Sequence, residues 1–132
     1  MDEKEIERRT CVRFEVPGAT VIYREKKLFF TKEKDDEEFW PVLDMSRGGF
    51  RFLCQKPLKS NTKAYLKISI PGEDAPMSLS GLVRWTSFNP GKSYKYQIGI
   101  QFNPYGDERG QNSPEDLEKL ISLEKKFAAN KS

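Results

Sequence analysis

The 132-residue chain contains no histidine, which removes the usual general base, the His-activated nucleophile and the imidazole metal ligand. Cysteine is scarce too. Cys11 and Cys54 stand too far apart for a C-x-x-C redox or zinc pair, and two lone thiols point to a reducing compartment rather than a disulfide framework. Apolar residues make up only 36% of the chain and charged residues 33%, so a small core under a heavily charged surface is expected. The charges nearly cancel, 23 basic against 20 acidic, and a net +3 does not by itself mark a nucleic-acid-binding protein. No run of eighteen apolar residues is available to cross a bilayer, and the opening MDEKEIERRT lacks the apolar stretch of a signal peptide. The expectation is one soluble, cytoplasmic domain with no membrane insertion.

What is present is a series of short alternating runs. Residues 1–12 read as a polar arm in which Glu5 and Arg9, at i,i+4, permit a short ion-paired helix. From Phe14 onward come FEVPGATVIYR, FWPVLDM, GFRFLC, TKAYLKISI, MSLSGLVRWTSF and SYKYQIGIQF. Ala64, Leu66, Ile68 and Ile70 fall on one face at period two, as do Tyr94, Tyr96, Ile98, Ile100 and Phe102. Turn chemistry separates the runs, at Ser46-Arg47-Gly48-Gly49, Lys59-Ser60-Asn61, Pro71-Gly72 and Asn89-Pro90-Gly91. About six short strands with no helix between them predict an all-β antiparallel barrel or sandwich, and a barrel over residues 13–105 is preferred because a small sheet must bury one face and protect its edges. Residues 25–39 read as a hairpin excursion whose charge run, Lys32 to Glu38, is a solvated loop, while Leu28, Phe29 and Phe30 extend the strand, form an exposed apolar contact or, the preferred reading, pack on the barrel. Residues 106–132 read as a loop and a C-terminal helix. Ser113 is its N-cap, Pro114 its first residue and Asp116 the partner in a capping box. Leu117, Leu120, Ile121 and Ala128 form its apolar stripe, with Leu123 and Phe127 beside it, to dock on the barrel or on a second copy.

Two constellations stand out. Glu7-Arg8-Arg9-Thr10-Cys11-Val12-Arg13 holds an R-x-x-x-R pair, Arg9 and Arg13, with Arg8 as a third guanidinium. Asp44-Met45-Ser46-Arg47-Gly48-Gly49 is a D-x-S-x-x-G pattern between two predicted strands. Each has an ordinary reading. Arg-rich arms are common, and the second pattern suits an Asx-type turn with its glycines at positive φ. Both together, in this order and each at a strand boundary, are rarer than either alone.

Here the chain resembles the PilZ family, bacterial receptor domains for cyclic di-GMP. The resemblance runs over residues 7–102: ERRTCVR before the first strand, LDMSRGG between the second and third, then GLVRW and YQIGIQF. It implies a six-stranded antiparallel barrel whose Arg motif wraps over the ligand, which agrees with the barrel reached from pattern alone. The stretch between Arg13 and Asp44 is longer than usual for the family, as an insertion at a loop tip allows.

The residue types suit that ligand, which presents two phosphates and two guanines. An Arg fork binds phosphate oxygens or the O6/N7 edge of guanine bidentately, and its plane stacks on a base. The Asp44 carboxylate is a suitable acceptor for guanine N1–H and N2–H, the Ser46 hydroxyl serves a phosphate or base edge, and Gly49 lets backbone approach the ring. The expected ligand residues are therefore Arg8, Arg9, Arg13, Asp44, Ser46 and Gly49, with no catalytic residue and no metal. The resemblance also implies that Arg8 favours a stacked ligand pair. Output is expected through an unidentified partner from motility, pilus, exopolysaccharide or transcription machinery.

Two alternatives use the same barrel: a module binding single-stranded nucleic acid, and a PilZ-like adaptor that binds no nucleotide. The first predicts oligonucleotide binding indifferent to Asp44, and the second has no need of both motifs. An enzyme is the weakest reading, since no nucleophile–base pair or metal set can be assembled. Trp85 reads as a barrel residue rather than a stacking platform, and Arg47 and Arg84 as surface charge by default, with the pocket rim as the alternative. Asp35, Asp36, Glu37 and Glu38 lack the glycine and spacing of a calcium loop.

Overall fold

The computed structural model describes residues 12–25, 38–90 and 92–128. Six strands follow in order: β1 (Thr20–Glu25), β2 (Trp40–Ser46), β3 (Gly49–Cys54), β4 (Lys63–Ser69), β5 (Met77–Phe88) and β6 (Tyr96–Phe102). All pair antiparallel and close into a barrel in the order β1-β2-β3-β6-β5-β4. One helix, α1 (Pro114–Ala128), follows. The barrel and helix expected from the sequence are both present.

Alternation decides which side chains enter the barrel. On β4, Ala64, Leu66 and Ile68 point inward and Lys63, Tyr65 and Lys67 outward. Ile98, Ile100 and Phe102 do the same from β6, and Phe50 and Phe52 from β3 stack on one another at 5.5 Å. Each such large side chain taken fully from water contributes about 1.5–3 kcal/mol before its entropy cost.

The first predicted run, from Phe14, is not one strand. A turn at Pro17-Gly18 interrupts it, closed by Ala19 N–H donating to the Val16 carbonyl at 3.1 Å. Gly18 takes φ +82°, which only glycine adopts without strain. β1 therefore starts at Thr20, and Phe14 instead forms an isolated bridge with Met45, two hydrogen bonds of 2.9 Å each. That bridge brings the end of the Arg motif against β2.

Two bulges adjust the barrel. Between Val42 and Asp44 the β2–β3 register slips, so that Asp44 rather than Leu43 faces Arg51. After it Asp44, Met45 and Ser46 are buried in succession. A second slip between Val83 and Trp85 sets Trp85 opposite Gly99, where the indole lies half-exposed across the outer wall.

The loop into α1 is anchored by buried Asn112, whose side chain accepts from Ser80 N–H at 2.7 Å and donates to the Ser80 and Asn103 carbonyls. Ser113 caps the helix, its Oγ accepting from Glu115 N–H at 3.1 Å. The expected stripe is shifted. Leu120 and Leu123 are the buried positions, Phe127 and Ala128 pack on the same core, and Leu117 and Ile121 are only half-buried. The helix docks on its own barrel.

Candidate functional site

The centre of the site is the carboxylate of Asp44, a buried acid on the last turn-ward stretch of β2. The β2–β3 hairpin pairs Ser46 with Gly49, Met45 with Phe50 and Asp44 with Arg51. Arg51 Nε donates to Asp44 Oδ1 at 2.9 Å and to Oδ2 at 3.2 Å, and its Nη2 closes a further bond to Oδ2. From the other side, Arg13 Nη1 donates to Asp44 Oδ1 at 3.2 Å. Two guanidiniums thus grip one acid, a fork that fixes its plane.

The two arginines differ in setting. The Arg13 side chain is 59% exposed against 35% for Arg51 and 10% for Asp44. The Arg51 guanidinium is held above its ordinary value, first by the hydrogen bond to Asp44, against a smaller opposing effect of burial. Its charge is permanent across the accessible pH range.

Ser46 closes the turn. Its Oγ accepts from Gly48 N–H at 3.2 Å and donates to the Gly49 carbonyl at 3.4 Å. The ordinary turn reading of the pattern therefore holds in part, carried by Ser46 in place of Asp44. The expected positive φ is absent at Gly48 and Gly49. A Cβ on Gly49 would fall 2.0 Å from the Ile100 carbonyl oxygen, so here glycine is required by the close approach of β6. That accounts for Gly49 without a ligand.

Of the sequence-predicted residues, the structure brings Arg13, Asp44, Ser46 and Gly49 to one end of the barrel. Arg8, Arg9 and Cys11 lie outside the described residues, as do the arm helix, Gly91, Leu28, Phe29, Phe30 and the charge run up to Glu37. Among the described residues no cluster of three acids or thiols is arranged to hold a metal, and no helix is long and apolar enough to cross a membrane. Cys54 is a core residue. Burial pushes its thiol up, against a smaller effect of the Lys56 carbonyl to which Sγ–H donates at 3.1 Å.

Arg51 is not among the residues expected from the sequence, although a signal for it exists. In a hairpin closed by Ser46 and Gly49, counting two residues outward on each side reaches Asp44 and Arg51. Arg47, expected as surface charge or at the pocket rim, is partly exposed and pairs with Glu124 of α1 at 3.0 Å.

Comparison with solved structures finds the same fold. The inhibitor of motility MotI/DgrA of Bacillus subtilis is similar with a TM-score of 0.68 and 18% identity, over 93% of this chain and 52% of that one. The PilZ domain of YcgR from Escherichia coli, solved with c-di-GMP, gives 0.57 and 16% over 92% of both chains. The MrkH–c-di-GMP complex of K. pneumonia gives 0.59 and 17%, over 92% of this chain and 53% of that one. The chain thus spans about half the length of the MotI and MrkH chains. No curated protein sequence matches significantly. The PilZ domain family model matches residues 7–120, taking in the R-x-x-x-R motif, the whole barrel, the Asp44–Gly49 turn and the start of α1, and the chain belongs to the PilZ family.

Proposed function

We propose that the chain is a receptor for cyclic di-GMP, reading the messenger at the barrel end around Asp44. The observation that carries this is the buried Asp44 carboxylate set between Arg13 and Arg51, in a family whose YcgR and MrkH members have been solved with that ligand. Arg51 supplies a cation fixed to the barrel. Arg13, the more exposed of the two, has the freedom to exchange its contact with Asp44 for a phosphate or a guanine edge. Asp44 then offers an acceptor to guanine N1–H and N2–H while Arg51 keeps the acid in plane. Arg8 and Arg9 complete the set from the R-x-x-x-R side. The ligand takes the place of the Arg13–Asp44 contact and engages the R-x-x-x-R motif, and the surface so formed is what a partner protein reads, without chemistry on the ligand.

Calorimetric titration with cyclic di-GMP, GTP and cyclic di-AMP tests this. Saturable binding of the first alone, lost in Arg13→Ala and Asp44→Ala, is the expected result. No heat and no thermal shift at high ligand concentration would rule the reading out. The same titration gives the stoichiometry, and one ligand per chain would count against a stacked pair at Arg8.

A further inference from the structure

Arg47 sits at the tip of the β2–β3 hairpin, inside the Asp44–Gly49 signature. Its guanidinium reaches across to α1, 77 residues later in the chain. Nε donates to Glu124 Oε1 at 3.2 Å and Nη2 to Oε2 at 3.0 Å, a parallel fork. Glu124 is only 12% exposed and Arg47 39%. The turn is tied further: Tyr105 Oη donates to the Arg47 carbonyl at 2.7 Å, and Phe102 N–H to the Gly48 carbonyl at 2.8 Å. Tyr105 belongs to the loop that leads into α1, and α1 itself is seated by Leu120 and Leu123. Exposed ion pairs usually contribute little, because solvent screens them and two long side chains must be ordered. This one is bidentate, has a nearly buried acid and ends on a two-residue turn that other bonds already restrain.

We infer that Glu124 is a positioning residue for the ligand site, acting through Arg47 to set the turn between Asp44 and Gly49, and that α1 is thereby coupled to ligand occupancy. The inference rests on the receptor reading above. Coupling of this kind is reciprocal: if the α1 ion pair favours the turn geometry that binds ligand, the ligand stabilises the docked helix in return. The C-terminal helix then becomes a second element, besides the residues of the Arg motif, through which occupancy is visible from outside.

The test uses the full chain as wild type, Glu124→Gln and Arg47→Lys. Each is titrated with cyclic di-GMP, and amide hydrogen exchange across 114–128 is followed with and without ligand. In the wild type, ligand slows exchange in α1. Glu124→Gln binds roughly fivefold or more weakly and loses the ligand-dependent slowing. Arg47→Lys keeps the charge without the fork and falls between. A purely structural pair would speed α1 exchange equally with and without ligand and leave affinity unchanged, and that result in both variants overturns the inference alone. Should Glu124→Gln fail to fold by circular dichroism, Arg47→Lys decides. Absence of binding by the wild type overturns the receptor reading and this inference with it.

Discussion

On the proposed receptor function, Asp44 and its two arginines separate stability from binding. Arg51 is the half-buried partner bound through two nitrogens, whereas Arg13 is largely exposed and contributes one bond. Removing Arg51 leaves a buried carboxylate under-satisfied, so Arg51→Ala is expected to cost about 1–3 kcal/mol in urea unfolding and to abolish cyclic di-GMP binding. Arg13→Ala should cost no more than ~1 kcal/mol, as an exposed pair does, yet abolish binding equally. Equal losses of stability in the two variants would contradict this division of labour. Gly49 offers a sharper case. Its missing Cβ would collide with the Ile100 carbonyl, so Gly49→Ala should lower stability by about 1–3 kcal/mol or more with or without ligand. A Gly49→Ala protein as stable as the wild type, but unable to bind, would return that glycine to a ligand role.

At the scale of elements, the helix shows how burial and capping combine. Ser113 Oγ satisfies one N–H of the first turn, and Ser113→Ala should cost about 1 kcal/mol, read as a fall in the denaturation midpoint. Burial is the main influence raising the Asp116 carboxyl above its ordinary 3.8, partly offset by Lys119 and the Ser113 backbone. A carboxyl raised in the folded state binds its proton more tightly there than in the unfolded chain. Its contribution to stability therefore grows as pH falls from the raised value towards 3.8. The stability of wild type minus Asp116→Asn should accordingly become more positive on acidification, measured by urea titration at a series of pH values. A difference that is flat or shrinks with falling pH would contradict it. Strand alternation, the cap and the hairpin were all legible in the sequence because each depends on neighbours a few residues away. The Asp44–Arg51 pair is not among the sequence expectations, although symmetry about the turn would have given it. The Arg47–Glu124 contact was not legible, since it depends on where a helix 77 residues later comes to rest. The reason for Gly49 was hidden likewise, because the carbonyl it avoids belongs to β6, a strand brought alongside only by barrel closure. The shift of the helix seam to Leu120 and Leu123 has the same origin: periodicity defines a stripe, but the docking angle chooses which edge of it is buried.

For the whole molecule, the near-balance of charge now separates two readings of the same barrel. With 23 basic and 20 acidic side chains the long-range field is weak, and any attraction for an anion must come from cations close to it. At Asp44 the carboxylate and Arg51 are partly shielded from solvent and salt, whereas Arg13 is open to them. From about 0.1 M to about 1 M salt the Debye length falls from ~10 to ~3 Å, which removes distant contributions and leaves short, partly buried contacts largely intact. Cyclic di-GMP affinity should therefore fall by less than roughly tenfold over that range. A module binding single-stranded nucleic acid gains its affinity from counterion release along a phosphate chain, and salt weakens it by a steep power law. Parallel titrations with cyclic di-GMP and a labelled oligonucleotide at several salt concentrations distinguish the two. Tight oligonucleotide binding with a steep salt slope, unaffected by Asp44→Ala, would favour the nucleic-acid module. Cyclic di-GMP binding with a shallow slope, lost in Asp44→Ala, would place recognition at the Arg13–Asp44–Arg51 cluster, where a single buried acid holds two cations that the overall composition conceals.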